Sequence, residues 1–408
     1  MSLGVYSKYL QPHILDNNKN WYYLCTDKVT KKLSDMQTIR NIVLFTMLTT
    51  LVACAPSVVE VGTYHILGGY NSGGTVLQPR YNDVRVYSLR SRKDTIDFVV
   101  GDTSRVKKPV FLFLQGSLPQ PAIRDDGEDM FRYGHSTSLM ASHFWMLDSV
   151  ITTDFHVVEI AYPYTPVIAG AAMLDEHAAY RPDGKDKPYH IGWRRRNHAD
   201  TYTDRACAVI DYLARQEWVD KDSIFVFGHS MGGYIAPLVA HKNRHVTAVG
   251  ISGMGPMGVV PNTILTARVQ AIEGKITESE ARSRIQQEYN NWLYCRDSTD
   301  AESLAQGATG LLPRGWKSLS MPQMDLIADL KQPVFIAYGT NDYISLPCEW
   351  LPLYFINRRK TNYYIRAYPG GHNFEQQDEE DNYNREIKIR SWHRVTADFI
   401  KFVRRTTY

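Results

Sequence analysis

The sequence predicts an α/β fold, with a mostly parallel central sheet covered by helices on both faces. Six short apolar runs show no alternation of polar and apolar residues. Amphipathic stretches separate them, and a pair of alternating segments precedes them. Strands buried on both faces lose the period-two polarity of a half-exposed strand. Helical stretches between such strands build crossover units, which set neighbouring strands parallel.

The elements follow in order. Residues 58–80 contain Gly and Ser, are weakly patterned, and read as a lead-in. Val84-Arg85-Val86-Tyr87 alternates, as does the segment from Thr95 to Val100, with Ser91-Arg92-Lys93-Asp94 between them. That pattern predicts a leading antiparallel hairpin. The apolar runs then fall at 110–114, 156–161, 224–227, 246–251, 334–338 and 363–367. Helical patterns lie at 199–217, 231–241, 348–357 and 388–404. The interval 252–333 is too long for a simple crossover. It contains Thr277-Glu278-Ser279-Glu280, a capping-box pattern that opens a helix toward Trp292. Residues 256–322 therefore read as a helical cap inserted above the sheet. No internal repeat or low-complexity tract is present.

Length and composition bound the function. The 408 residues suffice for one large domain or two ordinary ones, and 12% aromatic content suits a folded chain. A net charge of +3, with no basic stripe, argues against nucleic-acid binding. Residues 36–54 read MQTIRNIVLFTMLTTLVAC. Arg40 precedes an apolar run too short to span a bilayer comfortably, with the flanks of a secretory signal. The Leu-Val-Ala-Cys ending resembles a bacterial lipoprotein signal. That resemblance implies cleavage before Cys54, lipid on Cys54, and a place in the bacterial cell envelope outside the cytoplasm. Met36 is then a natural initiator, and 1–35 an over-long gene start or a removed leader. The expected organisation is leader and signal over 1–53, tether and lead-in over 54–82, and the α/β domain over 83–408. Removing 1–53 takes six Lys/Arg and three Asp/Glu, which leaves 40 of each sign and no charge argument for surface binding. Cys207, Cys295 and Cys348 are too widely spaced for a disulfide framework or a zinc pattern, and a single bridge stays open.

The chemistry centres on FVFGHSMGGY, residues 225–234. Ser230 follows a buried strand directly and precedes a helical run. A serine at such a turn is strained and projects above the sheet edge, and glycines two before and two after let strand and helix pass closely. The N–H of Met231, at the helix start, points where an oxyanion forms. A serine hydroxyl is a poor nucleophile at neutral pH and needs a base, which in turn needs an orienting carboxylate. Asp342 follows the fifth apolar run in Gly339-Thr340-Asn341-Asp342. His372 follows the sixth in Gly370-Gly371-His372. The loop after the first run, Leu114-Gln115-Gly116-Ser117, offers the Ser117 N–H as a second oxyanion donor.

With GHSMGG, GTND and GGH in this order, the chain resembles the α/β-hydrolases from about residue 83 to its end. The resemblance implies a Ser230–His372–Asp342 triad. Relatives often carry His-Gly where this chain has Gln115-Gly116, but a main-chain donor does not depend on that side chain. The motifs are specific for the superfamily and not for a substrate.

Other candidates weigh less. Trp193-Arg194-Arg195-Arg196 reads as a solvated basic segment paired with the acidic run Asp378 to Asp381, or else as an anion clamp. His135, His190 and His198 show no metal spacing. Trp292, Tyr294 and Trp316 either line an acyl pocket or pack helices together. The expectation is a serine hydrolase that cleaves carboxylic esters through an acyl-enzyme, needs no metal or organic cofactor, and takes a small-molecule or peptide acyl substrate. The runner-up is a peptidase resembling the prolyl oligopeptidase or proline aminopeptidase branches, although no propeller-type repeat precedes the catalytic region. A binding lipoprotein without turnover is a third reading, disfavoured by the complete set of three groups.

Overall fold

The computed structural model describes residues 57–90, 94–128, 134, 137–308, 310–375 and 385–406. The signal segment, Cys54, His135 and the run Asp378 to Asp381 lie outside them.

The six apolar runs form the parallel strands β4 (Lys108–Leu114), β7 (His156–Ile160), β9 (Val219–His229), β10 (Ala248–Ser252), β11 (Val334–Gly339) and β12 (Tyr363–Tyr368). They stand in the order β7, β4, β9, β10, β11, β12, each pair parallel. The hairpin strands β2 (Gln78–Arg90) and β3 (Thr95–Val100) pair antiparallel, and β3 joins them to β7. Beyond β2 the sheet continues through β1 (Ser57–Asn71), β6 (Leu139–Ala141), β5 (Ile123–Asp125) and β8 (Ile168–Gly170).

From Ser57 on, the stretch expected as tether and lead-in departs from that expectation. From Ser57 it is strand, first β1 and then the start of β2. Val58, Val59, Val61 and Thr63 are β-branched and suit a strand, and pairing within the sheet supplies what the Gly- and Ser-bearing pattern lacks.

The central strands are apolar on both faces, but the faces differ in kind. Val110, Leu112, Ile224, Val226, Val334 and Ile336 pack on one side, against the helices α1 (Ala199–Leu213) and α2 (Met231–Lys242). Phe111, Phe113, Phe225, Phe227 and Phe335 pack on the other, against α3 (Arg385–Thr406). Phe399 of α3 meets Phe111, Phe225, Phe227 and Phe335 edge-on at centroid distances of 5.9, 6.3, 5.3 and 5.7 Å. Edge-to-face pairing is the favoured aromatic geometry and adds to the burial itself.

Among the described residues, five helices lie between β10 and β11: Val259–Ile272, Glu278–Asp297, Asp300–Ala305, Pro313–Leu319 and Met324–Asp329. Thr277 and Glu280 form the capping box reciprocally, and Thr299 with Glu302 forms a second. Cys207, Cys295 and Cys348 are buried free thiols, which closes the question of a bridge among them.

Candidate active site

Ser230 stands between the end of β9 and the start of α2, at φ 55° and ψ −119°. That backbone is unfavourable for a residue with a side chain, so the surroundings must impose it. The Ser230 N–H donates to Ser252 O of the neighbouring strand at 2.9 Å, and Gly233 N–H donates back to Ser230 O at 2.9 Å. The flanking glycines have a steric reason. A Cβ on Gly228 would lie 2.0 Å from Gly232 O, and one on Gly232 would lie 2.0 Å from Leu114 O. Only a bare backbone lets β9, α2 and the loop after β4 approach this closely.

His372 and Asp342 converge on this turn from the loops after β12 and β11. His372 Nε2 lies 3.0 Å from Ser230 Oγ, and His372 Nδ1 lies 2.9 Å from Asp342 Oδ2. Asp342 is 4% exposed. Burial alone would raise its pKa, but the hydrogen bond and charge of His372, the Ser345 hydroxyl and the Ile344 N–H outweigh it and hold the carboxyl below its usual range. Ser345 Oγ–H donates to Oδ2 at 2.5 Å and Ile344 N–H to Oδ1 at 3.1 Å. An ionised carboxylate only accepts, so Nδ1 of a neutral His372 carries the proton. Nε2 is then the lone-pair nitrogen facing the serine hydroxyl.

His229, between Gly228 and Ser230, had no role in the sequence reading. Its Nε2 donates to Asn373 Oδ1 at 3.2 Å, and its Nδ1 lies 3.0 Å from Ser252 Oγ. Burial, then the nearby His372, drive its pKa well below the usual histidine value. A neutral ring thus packs 5.0 Å from His372 and puts no competing cation beside it. Tyr162 was missed as well. Its hydroxyl donates to Gly116 O and lies 3.2 Å from Gln115 O, which holds the loop that carries Ser117. A third omission is the pair Tyr234 and Asn262. Tyr234 OH accepts from Asn262 Nδ2 at 2.8 Å and from Gly255 N–H at 3.2 Å, tying the first inserted helix to α2. His229 stands inside the serine motif. Tyr162 gave no local signal, because its partner loop is 46 residues away.

Two cavities meet at the serine. A mainly apolar one of about 540 Å³ lies under the inserted helices and is lined by Ser117, Ser230, Met231, Tyr234 and Trp316, among others. A second, of mixed polar and apolar lining and about 650 Å³, is lined by Gly116, Ser117, Trp145, Ser230, His372 and Asn373, among others. Met231, at the first position of α2, has an N–H without an intrahelical partner. Trp316 lines the apolar cavity, whereas Trp292 and Tyr294 do not. Tyr294 instead bonds Gln306 at 3.1 Å.

The segment Trp193 to Arg196 is solvated only in part, with Arg195 exposed and Arg196 half-buried. Trp193 and Arg194 are buried, and Arg194 donates to Ala308 O. Arg196 pairs with Asp94 at 2.7 Å and Arg205 with the same carboxylate at 2.6 Å, so these cations act as internal braces. His190 and His198 cap helices, accepting from Gly192 N–H and Thr201 N–H.

The family model of the prolyl oligopeptidase family matches residues 182–307. That span includes Ser230 and its turn but neither Asp342 nor His372. No curated protein matches the chain in sequence. Among solved structures the chain is similar to the 2,6-dihydroxy-pseudo-oxynicotine hydrolase, at 14% identity and TM-score 0.40, over 78% of this chain and 66% of that one. It is similar to acetyl xylan esterase 1 from Thermoanaerobacterium sp. JW/SL YS485, at 13% identity and TM-score 0.39, over 84% and 89%. It is also similar to Pyrococcus horikoshii acylaminoacyl peptidase, at 11% identity and TM-score 0.40, over 84% and 42%. The chain thus spans less than half the length of that peptidase. These likenesses are remote, and the geometry above stands without them. Sheet order, a strained serine after β9, its hydrogen-bonded histidine and carboxylate, and the family match over 182–307 make the chain a serine hydrolase of the α/β-hydrolase fold.

Proposed function

We propose that the protein hydrolyses carboxylic esters through an acyl-enzyme on Ser230. The observation that carries this reading is the continuous hydrogen-bonded line from Ser230 Oγ through His372 to Asp342, at a strained turn. His372 Nε2 takes the serine proton as Oγ attacks the carbonyl carbon. The Met231 and Ser117 N–H groups hold the oxyanion. The tetrahedral adduct collapses, the bond to the leaving group breaks, and His372 returns the proton to the departing oxygen. Water then gives a proton to His372 and attacks the acyl carbon, which releases the acid and restores Ser230. Asp342 holds the imidazole in the required tautomer throughout.

Esters are favoured because an alkoxide leaves with less assistance than an amine. The family match over 182–307 favours a second reading, hydrolysis of peptide or aminoacyl bonds. Labelling of wild type and Ser230→Ala with a fluorophosphonate, followed by p-nitrophenyl esters and aminoacyl anilides, separates the two. Turnover of anilides without esters would replace the ester reading, and a well-folded wild type that takes no label would remove both. The motif ending at Cys54 supports lipid attachment there and a location in the bacterial cell envelope. Intact mass of membrane-extracted protein tests it, since an unlipidated chain beginning at Met1 would refute it.

A further inference from the structure

We propose that His143, set by Glu159, is a positioning residue for the loop that carries the second oxyanion donor. This rests on the acyl-enzyme reading above and adds residues to that same site. Glu159 is a carboxylate within β7, one of the apolar runs, and it is fully buried. It stands in register with Phe113 of β4, two residues before the loop Gln115–Gln120 begins. Its Oε1 lies 2.6 Å from His143 Nδ1, and its Oε2 has no hydrogen-bond partner among the described residues. Taking a carboxylate and an imidazole out of water costs free energy, and an apolar pair of that size often packs at least as well, so stability is a weak reason for placing the pair here.

His143 faces two ways. It lines the cavity that contains Ser230 and His372, and its Nε2 lies 2.8 Å from Gln120 Oε1. Gln120 Nε2–H donates to His177 O at 2.6 Å, which turns Oε1 toward the imidazole. An amide oxygen only accepts, so His143 Nε2 is a donor. Nδ1 and Glu159 Oε1 share a second proton, and the ring cannot rotate without losing both bonds. The loop is tied to Gln120 on either side of Ser117. Gln115 Nε2–H donates to Gln120 O at 3.4 Å, and Gln120 N–H donates to Leu118 O at 2.8 Å. Pro119 O accepts from Tyr180 N–H at 3.0 Å, which stitches the same loop to the turn that holds His177. A Cβ on Gly116 would lie 3.7 Å from Ser230 Cβ, so this loop stands against the nucleophile. An oxyanion donor works by being in place before charge develops, and a donor on a loop needs a rigid support. The line Glu159–His143–Gln120 supplies one from the sheet.

The test uses the full chain and Gln120→Met, which keeps the side-chain length of a half-buried residue and loses both side-chain bonds. Gln120→Asn, too short to reach His143, carries the same expectation should the methionine variant not fold. The ester or anilide that wild type turns over gives kcat and KM. A trifluoromethyl ketone, which adds to the serine and leaves an oxyanion, gives Ki. Expected is a fall in kcat of about tenfold or more, short of the roughly 10²–10³-fold for outright loss of an oxyanion donor, with KM within about twofold. Ki should rise by the factor by which kcat/KM falls, because the adduct carries the same oxyanion. His143→Gln, whose amide still donates toward Gln120, should keep more of kcat than His143→Leu, and the reverse order would overturn the inference. A merely structural brace would lower the melting temperature and leave kcat and Ki of the folded protein unchanged. That result, in a Gln120 variant that a fluorophosphonate labels at Ser230, would overturn this inference and leave the acyl-enzyme reading intact. Wild type that takes no label would overturn both.

Discussion

At the scale of single residues, the site depends on groups that must each sit in one state. The His372 imidazole must present Nε2 to the serine, and Asp342 enforces that tautomer by accepting from Nδ1 at 2.9 Å. His372→Ala is expected to lower kcat/KM by about three orders of magnitude or more with an unchanged far-UV circular dichroism spectrum. Near-normal turnover in that variant would remove His372 from the mechanism. Asp342→Asn retains the shape but lets the imidazole take the wrong tautomer, and kcat should fall by about 10⁴-fold with a smaller change in KM. Tyr162→Phe removes the donor to Gly116 O and loosens the loop carrying Ser117. Its kcat should fall more than its KM rises, because the oxyanion forms only after attack. Ser230, Asp342 and His372 were legible in the sequence because each follows an apolar run in a glycine- or turn-rich loop. Tyr162 and Asn373 were not, since nothing near either names its distant partner.

At the scale of elements, the sheet and its aromatic face set the position of the turn. Phe399 is fully buried against four sheet phenylalanines. Phe399→Ala should cost about 3–5 kcal/mol in urea unfolding, through lost burial and an unfilled cavity. Tyr234→Phe leaves Asn262 Nδ2 and Gly255 N–H without their acceptor. It should cost about 1–3 kcal/mol and loosen the inserted helices from α2. A smaller loss, with acyl-chain preference unchanged, would show that the hydroxyl does not fasten the insertion. The apolar runs were legible as strands because apolar residues on both faces leave few alternatives. Strand β1 was hidden, because its glycines and mixed polarity make sense only beside a pairing partner.

At the scale of the whole molecule, buried histidines couple stability to pH. His156, His198, His229 and His393 all have pKa values lowered chiefly by burial. Each is held neutral in the folded protein and gains a proton in the unfolded chain near pH 6.5. Below that pH the unfolded state binds more protons, so stability falls as pH falls. Asp342, with its lowered pKa, acts in the same direction at more acid pH. The melting temperature should therefore decline from pH 8 toward pH 5. His393→Gln should weaken that slope, and a flat or rising profile would refute the linkage.

The sequence by itself determined the alternation of buried strands with helices, the antiparallel lead-in, and the succession of Ser230, Asp342 and His372 in turns after apolar runs. These are local features, carried by periodicity, turn chemistry and glycine placement within a few residues of each group. The tertiary structure decided what lies across the sheet from each residue. It turned residues 57–71 into a strand, drew Arg194, Arg196 and Arg205 inward as braces, and placed Tyr162 under the Ser117 loop. It also divided the space around Ser230 into a mainly apolar cavity and one of mixed lining. The physical reason is that burial, charge pairing and cavity shape are properties of segments far apart in the chain, which take their values only once the sheet brings those segments together.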